Sequence, residues 1–174
     1  MSRSTTAFTA LAAAGLLALA APATAVTTPR AAAHTMCVDV GGSRNNGDWT
    51  KIWQCLSPGF GNQDFVIDRG QIKVKDTIGS GREMCLDVGG GRNDGDRVKI
   101  WQCLSPGFGN QDFVIDRGQI KVKDTIGSGR VMCVDVGGAR NNGDRVKIWQ
   151  CLNPAFGNQD FVIDSGQIKV KDTI

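Results

Sequence analysis

From residue 37 onward, short runs of alternating apolar and polar residues recur in the same order three times. In the middle copy the strand-like runs are residues 84–88, 97–103, 112–116 and 119–124, separated by Gly, Pro, Asn, Asp and Ser. Runs of this length with period-two alternation predict short β-strands. Alternation places Val98 and Ile100 on one face, predicted to enter the core with Phe113, Ile115, Ile120 and Val122 as companions. Lys99 and Trp101 fall on the other face, and an indole sharing a face with an ammonium is predicted to lie at the surface. Asn46-Gly47, Asp94-Gly95 and Asn142-Gly143 suit the positive φ of tight hairpin turns, and Ser105-Pro106-Gly107 and Arg117-Gly118 mark the remaining turns of the middle copy. No window shows helical periodicity of useful length, so the chain is predicted to be all-β, with about twelve strands, four per copy.

The copies are close to identical. Residues 37–84 and 85–132 differ at only six of 48 aligned positions: Val38/Leu86, Ser43/Gly91, Asn46/Asp94, Trp49/Arg97, Thr50/Val98 and Glu83/Val131. A site built within one copy is therefore expected three times. Three copies of a four-stranded unit favour a β-trefoil with pseudo-threefold symmetry over a propeller, which takes about four to eight blades.

Ahead of the copies, Arg3 precedes an Ala- and Leu-rich run from about residue 8 to 20, followed by Ala23-Thr24-Ala25. That order predicts a secretory signal peptide over residues 1–25. The run is shorter than the roughly 20 apolar residues of a membrane span, so membrane insertion is not expected. Residues 26–34 are predicted to be a short flexible tail and 35–174 one trefoil domain, with copies at about 35–82, 83–130 and 131–174. The predicted location is extracellular. The formal charge is +3, and Lys and Arg are spread evenly through the copies, which gives no stripe suited to a nucleic-acid backbone.

Six cysteines in an exported chain without C-x-x-C predict disulfides and not a metal cage or a redox motif. If the copies share one environment, the two cysteine types pair unlike with unlike, and three cyclic patterns survive. The simplest, and the one expected here, joins Cys37 to Cys55, Cys85 to Cys103 and Cys133 to Cys151. If each bond joins directly opposed strand positions, opposed residues share an index sum, and Asp87 faces Trp101, Asp39 faces Trp53 and Asp135 faces Trp149. A carboxylate beside an exposed indole suits a sugar ring, whose hydroxyls donate to the carboxylate while its C–H face lies on the aromatic plane.

The ordered motifs C-[VL]-D-V-G-G, N-x-G-D, K-I-W-Q-C and G-N-Q-D-F, three times over, resemble the ricin B-chain type of β-trefoil lectin, which also occurs as carbohydrate-binding modules of secreted glycosidases. The resemblance covers roughly residues 35–174. It implies the trefoil, the local disulfide pattern and three sugar sites: Asp39, Trp53 and Asn62; Asp87, Trp101 and Asn110; Asp135, Trp149 and Asn158. Gln63, Gln111 and Gln159, at the start of the family's Q-x-W signature, are implied to serve structure and site together. Two departures stand out. Phe65, Phe113 and Phe161 replace the signature Trp, and Lys51, Lys99 and Lys147 stand where many members have Gln. A cation there can donate to hydroxyls or pair with an acidic sugar, so the expected partners are glycans of the galactose type first, with acidic or xylan-type sugars as alternatives.

Catalysis is not expected. His34, the sole histidine, lies outside the copies, and Glu83, the sole glutamate, has Thr35 and Val131 at its equivalent places, so neither a histidine-activated nucleophile nor a Glu-based acid/base pair recurs. No cofactor or metal is expected; Asp94-Gly95-Asp96 is too short for a calcium loop. The function predicted is a secreted trivalent lectin, monomeric by default. The alternatives are a trefoil that binds a protein target as protease inhibitor or receptor ligand, a targeting module acting with a separate glycosidase, and a triplicated scaffold without a ligand.

Overall fold

The computed structural model describes residues 34–57, 60–104, 108–153 and 155–174. The predicted signal peptide, and all of the predicted tail except His34, lie outside them. Twelve four-residue strands run through the described residues. In the first copy they are β1 (Met36–Asp39), β2 (Lys51–Gln54), β3 (Phe65–Asp68) and β4 (Gln71–Val74). The second copy holds β5 (Met84–Asp87), β6 (Lys99–Gln102), β7 (Phe113–Asp116) and β8 (Gln119–Val122). The third holds β9 (Met132–Asp135), β10 (Lys147–Gln150), β11 (Phe161–Asp164) and β12 (Gln167–Val170). Each copy adds two three-residue 3-10 turns, such as Gly109–Gln111 and Lys123–Thr125 in the second. Such turns are too short to leave a period in the sequence, so the all-β reading missed them.

The sheets do not coincide with the sequence copies. Their orders are β3-β4-β5-β6, β7-β8-β9-β10 and β11-β12-β1-β2, all pairs antiparallel. Each sheet thus joins the second half of one copy to the first half of the next, and the first strand lies beside the last. The β7–β8 hairpin turns on Arg117 and Gly118, both at positive φ (50° and 84°). Two consecutive positive values match the twist of the flanking strands. This is the predicted β-trefoil, and its three units close on one another at the axis. The Thr50 N–H donates to the Val98 carbonyl (3.1 Å), Val98 to Val146 (3.1 Å) and Val146 back to Thr50 (3.2 Å).

The core fills from both halves of every copy. Leu86, Val98, Ile100, Phe113, Ile120 and Val122 are buried with their counterparts in the other copies. Phe65, Phe113 and Phe161 pack there as well, so the change from Trp leaves a core position apolar. Ile115 departs from expectation: it is 40% exposed, and Ile67 and Ile163 match it. Although Ile115 alternates in phase with Phe113, β7 is an edge strand and Ile115 sits near its turn, so the rim of the sheet leaves it uncovered on one side.

Candidate functional site

The three disulfides form in the local pattern, Cys37–Cys55, Cys85–Cys103 and Cys133–Cys151, each with a Cα–Cα distance of 5.0 Å. They do not join directly opposed positions. In the ladder Cys85 faces Trp101 and Asp87 faces Lys99, while the Cys103 N–H donates to the Glu83 carbonyl at 2.8 Å. The register is therefore two residues away from the one expected, and the same holds for Asp39 opposite Lys51 and Asp135 opposite Lys147. The reason is local. Strand β6 ends at Gln102, and Cys103, its N–H still on the Glu83 carbonyl, lies diagonal to Cys85, a span of about 7–8 Å in a flat pair that closes here to a Cα–Cα distance of 5.0 Å. Asp87 and Trp101 stay on one face as diagonal neighbours, with Lys99 between them.

Each carboxylate is buried, and each of its two oxygens accepts at least one hydrogen bond. Asp87, 2% exposed, accepts the Gly89 N–H on Oδ1 (2.6 Å) and the side-chain amides of Asn110 (2.6 Å) and Gln111 (2.9 Å) on Oδ2. Gln111 is itself fully buried and also bridges outward, donating to the Gln102 carbonyl and accepting the Leu104 N–H. The same set recurs around Asp39 with Gly41, Asn62 and Gln63, and around Asp135 with Gly137, Asn158 and Gln159. The short 3-10 turn sets this up, because it points consecutive Asn and Gln side chains at one oxygen.

The indoles are half-open. Trp53, Trp101 and Trp149 are 36–38% exposed, and a lysine ammonium lies over each ring, 4.7–4.8 Å from its centroid. Two of these ammonium groups also approach the carboxylate, Lys99 at 4.0 Å from Asp87 and Lys147 at 3.9 Å from Asp135. The structure thus gathers Asp, Asn, Gln, Lys and Trp of each copy into one shallow patch. The lysine covers the open face of the indole, and a cation over an aromatic face is held by only about 1 kcal/mol at an exposed site. A cavity of about 610 Å³ elsewhere, lined by Asp116, Lys121, Val131 and Asn153 among others, contains none of the residues predicted to contact sugar. Its volume reflects the seam between two copies.

Sequence reasoning missed the neighbours across the threefold axis. Trp49 pairs with Lys99, Arg97 with Lys147 and Arg145 with Lys51. The substitution of Trp49 by Arg97 and Arg145 was visible, but its location beside the next copy's lysine was not. Among the described residues no group of three or more His, Cys, Asp or Glu is placed to hold a metal, and no helix is long and apolar enough to cross a membrane.

The fold is a threefold β-trefoil with a clustered polar and aromatic patch in every copy. The sequence matches the model of the ricin-type beta-trefoil lectin domain over residues 25–132 and 79–173, and the chain belongs to that family. No curated protein matches the chain. Family membership suggests carbohydrate binding.

Proposed function

We propose that the protein is a secreted, trivalent carbohydrate-binding protein without catalytic activity, and that each copy supplies one shallow site. The observation that supports this reading best is the threefold recurrence of an exposed indole beside an Asp already oriented by Asn and Gln. Trp53, Trp101 and Trp149 stack a sugar ring, and Asp39, Asp87 and Asp135, with Asn62, Asn110 and Asn158, read its hydroxyls once the lysine swings aside. Gln63, Gln111 and Gln159 hold the carboxylates in place before binding, which reduces the ordering cost.

A site this open binds weakly, on the order of millimolar, near −4 kcal/mol. Three sites on one rigid body raise avidity on a multivalent surface by roughly 10² to 10⁴. The test is a glycan array with the oxidised protein beside the triple variant Trp53→Ala, Trp101→Ala and Trp149→Ala. Binding competed by a monosaccharide and lost in the variant supports the reading. A blank array with folded protein, or unchanged binding in the variant, overturns it and favours a protein target. Export is tested separately, by sequencing the N-terminus of protein recovered from the medium, where the reading expects a start near Val26.

A further inference from the structure

The cations look evenly spread along the sequence, yet the fold brings three of them to one cavity. At the third copy, Arg97 of β6's approach lies directly across from Lys147, and Arg145 joins them in lining a cavity of about 430 Å³ floored by the loop at residues 136–139. Directly opposed residues share a face with side chains about 5 Å apart. The one carboxylate in the lining, Asp144, already accepts the Asn141 N–H at 2.8 Å. Lys147 faces the buried Asp135; neither arginine has an ion-pair partner among the described residues, and Arg97 rests on the ring of Trp49 at 4.8 Å. Positive charge therefore exceeds negative around a concave space large enough for a sugar substituent.

The other copies are built differently at the same place. In the second copy the cavity shrinks to about 250 Å³ and is lined by Trp49, Arg97 and Lys99. Trp49 stands where Arg97 stands in the third copy, so an indole replaces a guanidinium. The third copy is thus the one whose lysine has arginines on both sides.

We infer that the third copy's cavity binds an anionic substituent, a sulfate ester or a carboxylate, on a glycan whose ring lies against Trp149. This rests on the sugar-site reading above and names the ligand class for one of its three sites. Lys147 is the link, since it lines the cavity while its ammonium lies over Trp149 and beside Asp135. On binding, the ammonium leaves the indole for the anion, the ring takes its place, and Arg97 and Arg145 supply planar, charge-assisted hydrogen bonds.

The experiment is titration of the oxidised protein, followed by NMR, with galactose, galactose 6-sulfate, galacturonic acid and inorganic sulfate. The expected result is that at least one charged sugar binds about tenfold more tightly than galactose at low salt. That gain should fade at 0.5 M NaCl, where screening acts within about 4 Å. The double variant Arg97→Gln, Arg145→Gln should lose the gain and keep galactose binding, while Trp49→Arg should create a similar gain at the first and second copies. Which charged sugar benefits distinguishes sulfate ester from carboxylate. Equal affinity for neutral and charged sugars, or a gain that survives in the double variant, overturns the inference and leaves the sugar sites standing. Sulfate binding at Arg97 and Arg145 without galactose binding supports the anion cavity and counts against the neutral-sugar sites.

Discussion

At the scale of residues, the most constrained group is the buried Asp of each copy. Its two oxygens accept three hydrogen bonds in the middle copy, and both amide donors converge on one oxygen. An Asn in its place would turn an NH₂ toward a donor whichever way it flipped. Asp87→Asn is expected to cost about 1.5–3 kcal/mol, the range for hydrogen bonds to a charged group, and to weaken glycan binding at that copy; denaturant unfolding and titration check the two effects. A second residue-scale constraint lies at Gly70, with φ of +87° and an ideal Cβ position 2.1 Å from Asp112 Oδ1. That oxygen has no hydrogen-bond donor, while its partner oxygen pairs with Lys123 at 2.8 Å. The unpaired oxygen nestles against the glycine Cα–H instead, a weak contact available only without a side chain. Gly70→Ala must therefore displace a half of an ion pair and hold a strained φ, and is expected to lower stability by more than about 1 kcal/mol, measured by thermal unfolding against the Gly79→Ala control, whose φ is also positive but whose surroundings are open.

At the scale of elements, the disulfide and one ion-pair network hold neighbouring strands together. Replacing Cys85 and Cys103 with Ser reopens a loop of 18 residues, and the chain-entropy model gives a loss of about 3 kcal/mol, to be read from urea unfolding of the oxidised proteins. Glu83 ties β5 to the β3–β4 hairpin through Lys73 at 3.1 Å, and Lys73 also reaches Asp68 at 3.1 Å. The Lys73 hydrogen bond, aided by the Gly79 N–H, holds the Glu83 carboxyl below the usual carboxylate range. A depressed value means the contribution is present above the ordinary glutamate value of about 4.3 and is lost as the pH falls through the lower folded-state value. The Tm difference between the protein and Glu83→Gln should thus be no more than about 4 °C at neutral pH and should vanish in acid. In the other copies Thr35 and Val131 stand at this place and Lys169 and Lys121 turn to Asp164 and Asp116 instead.

Elements also show which features were legible in the sequence. Alternation at Val98, Lys99, Ile100 and Trp101 assigned both faces of β6 and its approach, where Val98 and Ile100 are buried and Trp101 is exposed. The cysteine spacing and the repeat led to the local disulfides. The register failed because the index sum took the two cysteines as directly opposed, whereas Cys103 is in step with Glu83 and lies diagonal to Cys85. Ile115 failed because period two reports a face and says nothing of an edge. Period two already put each lysine on the face of its indole, whereas its place opposite the Asp follows from the register and could not be found without it.

At the scale of the whole molecule, no copy completes itself. The Asn-Gly or Asp-Gly turn of each copy, expected as a tight hairpin, sits instead within the long loop between the copy's first two strands, with positive φ only at the Gly of the pair. It clasps another copy: Asn46 accepts the Gln102 N–H, Asp94 that of Gln150 and Asn142 that of Gln54, each at 2.7 Å. The predicted turns thus do a second job that only the assembled trefoil reveals, and Asp94 can serve where the others have Asn because its side-chain oxygen is the acceptor. The axial ring of Thr50, Val98 and Val146 likewise needs all three units. A protein ending after the second copy should therefore lack a cooperative unfolding transition, as calorimetry would show. Under the proposed function the three copies hold their patches on one frame, so glycan avidity is expected to depend on the spacing of sugars on the target.

The seam where β1 meets β12 has a mechanical consequence. Met36 donates to Thr173 Oγ1 at 2.9 Å and Cys37 lies opposite Lys169, so the two ends of the folded region leave from the same end of an antiparallel pair. Tension applied through those ends would peel this pair bond by bond from Met36 and Thr173, the weak direction for a sheet, and the Cys37–Cys55 link would keep the first loop from extending. Tension carried from copy to copy would instead cross the clasping turns and the axial ring, where it is shared among several bonds at once. The fold thus bears load across its threefold axis better than load applied at the two ends of the folded region.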